Sequence, residues 1–187
     1  MNSPLSSWRL KEARRYFREG GVIAYPTEAV YGLGCDPLNG SVVHRLLALK
    51  QRPVDKGFIL IAADFNQLKP YISELGKAQM APVFASWPGP HTWLLPTAPN
   101  LPYWLCGKHN TLAVRVTDHP IAASLCLACD SPLVSTSANR ANLRPARSSL
   151  EVKLRINAVD YIINAPLGNC LQPTSIRDAR TGQIIRF

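Results

Sequence analysis

The sequence lacks any apolar run long enough to cross a membrane, because spanning a bilayer takes about 20 consecutive apolar residues and no such run occurs. Residues 1–8 also lack the positively charged segment followed by an apolar run that marks a secretory leader. We therefore expect a cytoplasmic protein that makes no membrane contact. The length of 187 residues, with 47% hydrophobic content, is that of one compact domain covering residues 1–187.

Acidic residues are scarce, since 12 Asp and Glu stand against 21 Lys and Arg, which gives a formal net charge of +9. A basic balance of this size favours polyanionic partners such as nucleic acid or nucleotides. The cations are dispersed rather than gathered in one run. We therefore expect a basic groove that folding assembles, and not a charged tail.

The five cysteines are an odd number and lie too far apart in the sequence to suggest a disulfide scaffold. Cys126 and Cys129 form a C-x-x-C pair, but a tetrahedral zinc site needs two further ligands, and neither a second pair nor a nearby His supplies them. We expect both thiols to be reduced and to pack inside a helix.

Three fingerprints of common enzyme classes are missing. Pro37 stands where a G-x-G-x-x-G motif beginning at Gly32 would require its last glycine, and no G-K-[ST] phosphate loop occurs. No G-x-S-x-G elbow is present either, so a serine hydrolase has little support. His119 precedes a proline at a predicted helix start and is interpreted as a helix cap rather than a general base.

Helical and strand-like segments alternate along the chain without a linker or an internal repeat, which predicts helices packed on a mixed sheet. The span 87–104 contains five prolines and is expected to be largely extended around a short strand. Predicted helices cover residues 7–19, 41–50, 65–71, 77–86 and 120–129. Predicted strands cover residues 22–25, 58–62, 111–116, 133–136 and 159–163, with a hairpin at 175–186.

The most informative segment is PLVSTSAN, residues 132–139, in which a short apolar strand runs directly into three hydroxyls and a carboxamide. These groups hold a ligand's oxygens with little steric bulk, so the segment has the character of a binding edge. The alternative is structural, because Ser, Thr and Asn also cap helices and fill loops. Other polar segments that point to the same place are needed to decide between the two.

Such segments follow other predicted elements. After the first strand, Gly32 and Gly34 permit close backbone approach while Thr27, Glu28 and Tyr31 supply polar groups, although a structural turn explains the same residues. At the end of the second predicted helix, three cations lie within seven residues. They are Lys50, Arg52 and Lys56, and they suit either phosphate binding or the favourable solvation of a helix C-terminus.

Arg115 lies in the middle of a predicted strand, on the face opposite Val114 and Val116. A guanidinium in that position needs a partner, because buried charges are rarely left unpaired. The partner is either Asp118 or another acid within the protein, or the carboxylate of a small ligand held bidentately.

Five motifs in order give the chain a resemblance to the YrdC-type family of threonylcarbamoyl-AMP synthases, in its bacterial short form. They are PTEAVYGLG (26–34), KQRP (50–53), WPGPHT (87–92), AVRV (113–116) and STSAN (135–139). The resemblance implies an α/β fold with a twisted, mixed and mostly parallel open sheet flanked by helices, and a large basic cavity. It also implies the joining of L-threonine, bicarbonate and ATP into threonylcarbamoyl-AMP and pyrophosphate, for a tRNA modification completed by a threonylcarbamoyl-transferase complex.

The resemblance also implies roles for individual residues. Lys50 and Arg52 would be catalytic, holding the ATP phosphates together with Mg²⁺, and no metal ligand would come from the protein. We expect both side chains to face solvent, so that replacing either by alanine abolishes turnover and leaves the fold intact. The remaining ATP-binding residues would be Thr92, Ser137, Asn139 and Arg147, and the threonine-binding residues would be Thr27, Tyr31, Arg115, Thr136 and Thr174.

One departure from the family pattern follows the STSAN motif, where Ala141 and Asn142 replace the usual Ser-Gly. The change removes a hydroxyl that could contact phosphate or magnesium, while Asn142 can adopt the left-handed conformation of a glycine. A second function class also fits the charge, namely a non-catalytic module that binds RNA or tRNA in its basic cavity. An RNA groove would need stacking aromatic side chains, whereas here hydroxyls, glycines and cations gather at strand ends. This favours the enzyme over the RNA-binding module.

Overall fold

The computed structural model describes residues 5–170 and 174–186. Strands in this part are β1 (Ile23–Pro26), β2 (Tyr31–Gly34), β3 (Ile59–Ala62), β4 (His91–Pro96), β5 (Thr111–Val116), β6 (Leu133–Ser137), β7 (Tyr161–Ile162), β8 (Ser175–Asp178) and β9 (Ile184–Arg186). Helices are α1 (Ser7–Arg18), α2 (Gly40–Lys50), α3 (Lys77–Ala85), α4 (Tyr103–Cys106), α5 (Pro120–Cys129) and α6 (Ser149–Arg155). Short 3₁₀ turns cover Val54–Lys56, Phe65–Gln67 and Lys69–Tyr71.

The described strands form one open sheet in the order β7-β1-β2-β6-β3-β5-β4-β8-β9. The mixed sheet flanked by helices agrees with the expectation. The parallel pairs are β1 with β7, β3 with β5 and β4 with β8, and the other five neighbouring pairs are antiparallel. Antiparallel neighbours thus outnumber parallel ones, because β1–β2 and β8–β9 are joined by short turns that reverse the chain.

Two apolar clusters lie on opposite faces of the sheet, as the alternation of side chains along each strand requires. In β3, Leu60 and Ala62 belong to the larger cluster and Ile61 to the smaller one. Helix α2 contributes to the larger cluster, whereas α1 and α5 pack on each other over the smaller one. The smaller cluster covers only part of its face, and this leaves room for a cavity beside it.

Most predicted elements are present, with shifts of one or two residues at their ends. Helix α2 begins one residue before its predicted start because Asn39 is its N-cap and accepts a hydrogen bond from Val42 N at 3.2 Å. The predicted helix at 65–71 is instead two 3₁₀ turns, since Pro70 has no N–H to continue an α-helix. Strand β2 and helices α4 and α6 are additional elements that the sequence did not predict.

The cysteine prediction agrees with the structure. Cys126 and Cys129 are buried in α5, and burial raises the pKa of the Cys129 thiol to about 12, which leaves it protonated and unreactive at neutral pH. Within residues 5–170 and 174–186, the cysteines are free, and no group of three His, Cys, Asp or Glu side chains is placed to hold a metal ion. The described helices are all too short or too polar to cross a membrane.

Candidate functional site

A cavity of about 750 Å³ opens on the sheet face that α1 and α5 leave uncovered. Its position follows from alternation along β5, where Thr111, Ala113 and Arg115 line the cavity while Leu112 and Val114 are buried in the larger apolar cluster. Strand β6 changes character on the same face, from Leu133 in the smaller apolar cluster to Ser135 and Ser137 in the cavity wall. A volume of this size is within the roughly 300–1,000 Å³ typical of small-molecule sites.

Positive charge lines the cavity without a matching carboxylate. Arg52, Lys56 and Arg115 belong to its wall, as does His109, and Asp and Glu are absent among the described wall residues. The Arg52 guanidinium is held by the carbonyl oxygen of Gly57 at 2.9 Å and lies 5.7 Å from the centre of the Phe58 ring. The expected basic cavity is therefore present, and it suits an anionic ligand.

Hydroxyls form the second part of the wall, and they come from strand ends that are far apart in the sequence. Thr27 follows β1, Ser135 to Ser137 end β6, and Thr174 precedes β8. Ser135 Oγ accepts a hydrogen bond of 3.0 Å from the hydroxyl of fully buried Tyr25, which fixes this part of β6 from below. The polar end of β6 thus lines the cavity on a rigid support, and its role as a binding edge stays a prediction.

Gly34 permits β2 to lie close against β6. A Cβ atom at Gly34 would stand 2.6 Å from Val134 O and 2.8 Å from the Tyr25 ring, closer than real Cβ atoms approach other atoms. Gly32, two residues earlier, lines the cavity directly. These two glycines explain why an apparent turn sequence forms a strand of the central sheet.

Lys50 lies behind the cavity wall. Only 3% of the residue is exposed, so the expectation that it faces solvent was wrong. Its ammonium donates to Ser137 O at 2.5 Å, to Asn139 O at 2.8 Å and to Asn139 Oδ1 at 3.4 Å. Lys50 therefore holds the turn that follows β6, and burial together with the nearby Arg52 charge lowers its pKa to about 8.

Arg115 has the internal partner that its position required, and the partner is Glu28 rather than Asp118. Arg115 Nη2 lies 3.1 Å from Glu28 Oε2, with side-chain exposures of 6% and 5%. Arg115 Nη1 donates to Thr174 Oγ1 at 2.6 Å, and Thr174 Oγ1 lies 3.4 Å from Thr92 Oγ1. The guanidinium thus lines the cavity while it is fixed from behind.

The structure places the predicted site residues in two groups. The cavity wall contains Thr27, Arg52, Arg115, Thr136, Ser137 and Thr174. The other five are not wall residues: Lys50, Tyr31, Thr92, Asn139 and Arg147.

The five residues outside the wall stand behind or beside it. Thr92 is fully buried next to Thr174, and Tyr31 is buried with its hydroxyl donating to Ala165 O at 2.7 Å. The Asn139 carboxamide forms hydrogen bonds within the turn: it accepts from Ser137 Oγ at 2.6 Å and donates to Leu143 O at 2.7 Å. Arg147 is exposed and donates to the carbonyl of the wall residue Ala29 at 3.1 Å.

Several wall residues were absent from the predicted site. Lys56 was recognisable as the third cation of its cluster, whereas His109 stands in a sequence context with no signal. Apolar side chains complete the wall, among them Phe58, Leu94 and Leu105. The combination of cations, small hydroxyls and apolar surface can hold an anion together with a flat or aliphatic group. Among the described wall residues, no nucleophile is hydrogen-bonded to a base.

Comparison with known proteins gives a consistent result. A model of the Sua5, YciO and YrdC proteins, described as "Telomere recombination", matches residues 15–187. The chain is 51% identical over 181 residues to a threonylcarbamoyl-AMP synthase of Nitrosococcus oceani, covering 96% of this chain and 98% of that protein. It is 50% identical over 188 residues to a threonylcarbamoyl-AMP synthase of Escherichia coli O1:K1, covering 100% of this chain and 99% of that protein.

Solved structures share the fold. Sua5 of P. abyssi in complex with L-threonine has a TM-score of 0.87 and 30% identity, covering 93% of this chain but 52% of that one, so the chain spans about half of Sua5. E. coli YciO has a TM-score of 0.82 and 30% identity, covering 95% of this chain and 87% of that one. HypF in a phosphate- and nucleotide-bound form has a TM-score of 0.76 at 19% identity, covering 94% of this chain and 27% of that one, which is a likeness of fold alone.

Proposed function

The chain belongs to the Sua5, YciO and YrdC family, and on that premise we propose that it is a threonylcarbamoyl-AMP synthase. It would convert L-threonine, bicarbonate and ATP into threonylcarbamoyl-AMP, pyrophosphate and water. The observation that carries the proposal is one cavity whose wall combines three cations with hydroxyls from three separate strand ends. The proposal is supported by relatives named threonylcarbamoyl-AMP synthase, which are 50–51% identical to this chain over nearly its full length.

The reaction chiefly requires anions to be brought together. The threonine amine captures bicarbonate or carbon dioxide as a carbamate, and a carbamate oxygen then attacks the α-phosphorus of ATP as the bond to pyrophosphate breaks. Positioning and charge neutralisation are the main contributions that a protein makes to such a step. Arg52 and Lys56 supply the positive charge on one side of the cavity, and Arg115 supplies it on another.

The ATP phosphates would lie against Arg52, Lys56 and Ser137. Lys50, which the resemblance assigns to the phosphates, would act from behind by holding the Ser137–Asn139 turn. Asn139 would contribute through the same turn, and Arg147 and Thr92 would support the neighbouring wall. Mg²⁺ would reach the cavity on the ATP phosphates, because the described wall residues include no carboxylate to coordinate it.

Threonine would occupy the part of the cavity between Thr27, Thr136 and Thr174, with its carboxylate on Arg115. The Arg115 Nε atom is buried and has no hydrogen-bond partner within the described chain, so the guanidinium retains a donor for an incoming carboxylate. Tyr31 would act indirectly, since its hydroxyl ties β2 to Ala165.

We expect the purified chain, supplied with ATP, Mg²⁺, L-threonine and bicarbonate, to release pyrophosphate only when threonine is present. A coupled pyrophosphate assay measures the release, and mass spectrometry identifies the adenylate product. L-Serine and L-valine, each lacking one of the two substituents on the threonine β-carbon, serve as matched controls. Release that does not depend on threonine would contradict the proposal.

The non-catalytic RNA-binding alternative draws support from the same net charge. Among the described wall residues, Phe58 is the one Phe, Tyr or Trp side chain. A single aromatic ring cannot stack a run of bases, as a groove for single-stranded RNA would have to. We therefore favour the enzyme, and tRNA would meet the product through the downstream transferase complex. Tight tRNA binding without threonine-dependent pyrophosphate release would reverse this preference.

We expect turnover to fall as the pH rises through about 8, because the pKa of Lys50 is lowered to about 8 and its ammonium holds the Ser137–Asn139 turn. Stability should show the opposite trend. Between about 8 and the ordinary value of 10.5 the unfolded chain binds more protons at Lys50 than the folded chain, so this residue makes folding more favourable as the pH rises.

The matched variant for this pH profile is Lys50→Met, which removes the titrating group. Denaturant unfolding at several pH values gives the free energy of unfolding of both proteins, and kcat is followed over the same range. The wild type minus variant difference in unfolding free energy should rise between pH 8 and 10.5 while wild-type turnover declines. Parallel loss of stability and turnover would show that unfolding, and not Lys50, sets the alkaline limit.

A further inference from the structure

Glu28 is a buried carboxylate directly behind the cavity, and the reaction scheme above gives it no role. It lies in the turn between β1 and β2, is 4% exposed and does not belong to the cavity wall. Burying an ionised carboxylate is costly unless it is paired and hydrogen-bonded. Its partners therefore indicate what the residue does.

Both carboxylate oxygens of Glu28 are engaged by residues of β5 or its end. Oε2 forms an ion pair with Arg115 Nη2 at 3.1 Å, a contact that lacks hydrogen-bond geometry, and Oε1 accepts a hydrogen bond of 2.5 Å from Thr117 Oγ1. Thr117 Oγ1 itself accepts from His119 N at 3.2 Å, so its hydroxyl proton is directed to Glu28. The Glu28 carboxylate is consequently held in a fixed orientation relative to the Arg115 guanidinium.

The backbone of Glu28 is held from the other side by the segment that precedes β8. Cys170 N donates to Glu28 O at 3.0 Å, and Gly168 N donates to Thr27 O at 3.0 Å. A Cβ atom at Gly168 would lie 2.8 Å from Glu28 Cα, so the two backbones are as close as a glycine allows. Glu28 is thus restrained at both its backbone and its side chain.

The guanidinium of Arg115 is fixed through its two terminal nitrogens. Nη2 is paired with Glu28, and Nη1 donates to Thr174 Oγ1 at 2.6 Å. Nε has no hydrogen-bond partner within residues 5–170 and 174–186, although Arg115 is 95% buried and lines the cavity. A planar guanidinium held at two corners can turn neither about its own axis nor away from the cavity.

We propose that Glu28 is the positioning residue for substrate carboxylate recognition: it orients the Arg115 guanidinium so that this group donates to the α-carboxylate of threonine in one fixed geometry. The inference rests on the proposed function. Glu28 touches neither substrate nor reacting atoms and acts through Arg115. Thr117 is the second member of this support, because it fixes the carboxylate that fixes the guanidinium.

The test is Glu28→Gln, which keeps the shape and the acceptor for Thr117 but removes the charge. We expect calorimetry to show L-threonine binding weakened about 10- to 100-fold, the range for one charge-assisted hydrogen bond, and ATP binding changed less than about twofold. L-Threonine amide, which has no carboxylate, should bind the wild type and the variant about equally. The variant therefore loses its preference for the acid over the amide.

Two further variants keep the test decisive. Thr117→Val removes the hydrogen bond to Glu28 without changing charge, and should lower threonine affinity in the same direction by a smaller factor, about 3- to 10-fold. Glu19→Gln breaks an exposed ion pair with Arg15 on α1, away from the cavity, and should change nothing. Equal losses for threonine, its amide and ATP in Glu28→Gln would overturn the proposal in favour of a general structural role, and unchanged threonine affinity would also overturn it.

A measurement that needs no substrate separates this proposal from the proposed function. In the wild type, the Arg115 Nε–H proton should give a sharp NMR signal with slow solvent exchange, assigned by its loss in Arg115→Lys. In Glu28→Gln this signal should broaden or vanish while the Glu19→Gln spectrum stays unchanged. If the wild type binds no threonine but the signal behaves as stated, the proposed function fails and the positioning of Arg115 stands. An unaltered Nε–H signal in Glu28→Gln overturns the positioning itself.

Discussion

Lys50→Met is expected to reduce kcat by about 100-fold or more, because a displacement of about 1 Å at a positioning turn can cost that much. The ammonium bonds of Lys50 go to the carbonyl oxygens of Ser137 and Asn139, and no other described side chain replaces them. Losing them removes the Lys50 donor from the carbonyl oxygen of Asn139, while Ser137 O keeps the backbone N–H of Asn139 as a donor at 2.9 Å, and this should lower the free energy of unfolding by about 1–3 kcal/mol. Steady-state kinetics and urea denaturation measure the two effects.

The same change at Lys153 is the matched control, since that lysine also stands in the last turn of a helix but is exposed. Lys153→Met should leave turnover and stability within experimental error. Arg52→Ala, at the cavity wall, should lose turnover with a smaller stability loss than Lys50→Met, as its side chain is not buried to the same degree. If Lys50→Met lost ATP binding without any loss of stability, the ammonium would be a phosphate ligand rather than a support for the turn.

Arg115→Met is expected to lower the free energy of unfolding by about 3–5 kcal/mol, because it leaves Glu28 as a buried charge without its cationic partner. Threonine binding should weaken by about 100-fold or more, since in the proposed site the substrate carboxylate loses a charged partner. Chemical denaturation and calorimetry measure the two quantities. Arg45→Met breaks the partly exposed pair with Asp160 and should cost only about 0–1 kcal/mol.

The double variant Arg115→Met with Glu28→Met separates the two roles of this ion pair. Replacing both members of a buried pair by apolar residues of similar volume is often neutral for stability. We therefore expect the double variant to regain most of the stability lost in Arg115→Met and none of the threonine affinity. Recovery of neither, or of both, would show that the stability and binding effects of Arg115 have one common cause.

The sequence was sufficient to predict elements with a strong apolar period. Helix α5 agrees with the predicted 120–129, and β5 agrees with 111–116, since each has a clear start and a regular pattern. Strand β2 was missed because YGLG has the composition of a turn, and only the close approach to β6 explains its glycines. The short helix α6, with its Ser148 cap, was missed because exposed Leu150 and Leu154 obscure its amphipathic pattern.

The sequence predicted the types of residue at the cavity. It predicted less well which of them line the cavity and which are buried behind its wall. Ser137 at the end of a strand, Arg52 after the end of a helix and Arg115 within a strand all lie at the cavity wall. Lys50 lies behind the wall because α2 is rotated so that its last residue is buried with Leu46 and Leu47. Glu28 was noted as a polar group after β1, but its pairing with Arg115 depends on a contact between residues far apart in the sequence, which no local pattern encodes.

Strand β6 pairs with β2 on one side and with β3 on the other, through Gly32 opposite Ser137 and Ile59 opposite Ser135. In the sheet, β2 and β3 are therefore joined through β6, a strand that is synthesised later than both. A nascent chain whose β6 is still inside the ribosome lacks the strand that joins β2 to β3. It also lacks the polar edge of the cavity, which β6 provides. The cavity is therefore incomplete until β6 pairs with both neighbours, and it also needs Thr174 and Ile176 from the still later segment at β8.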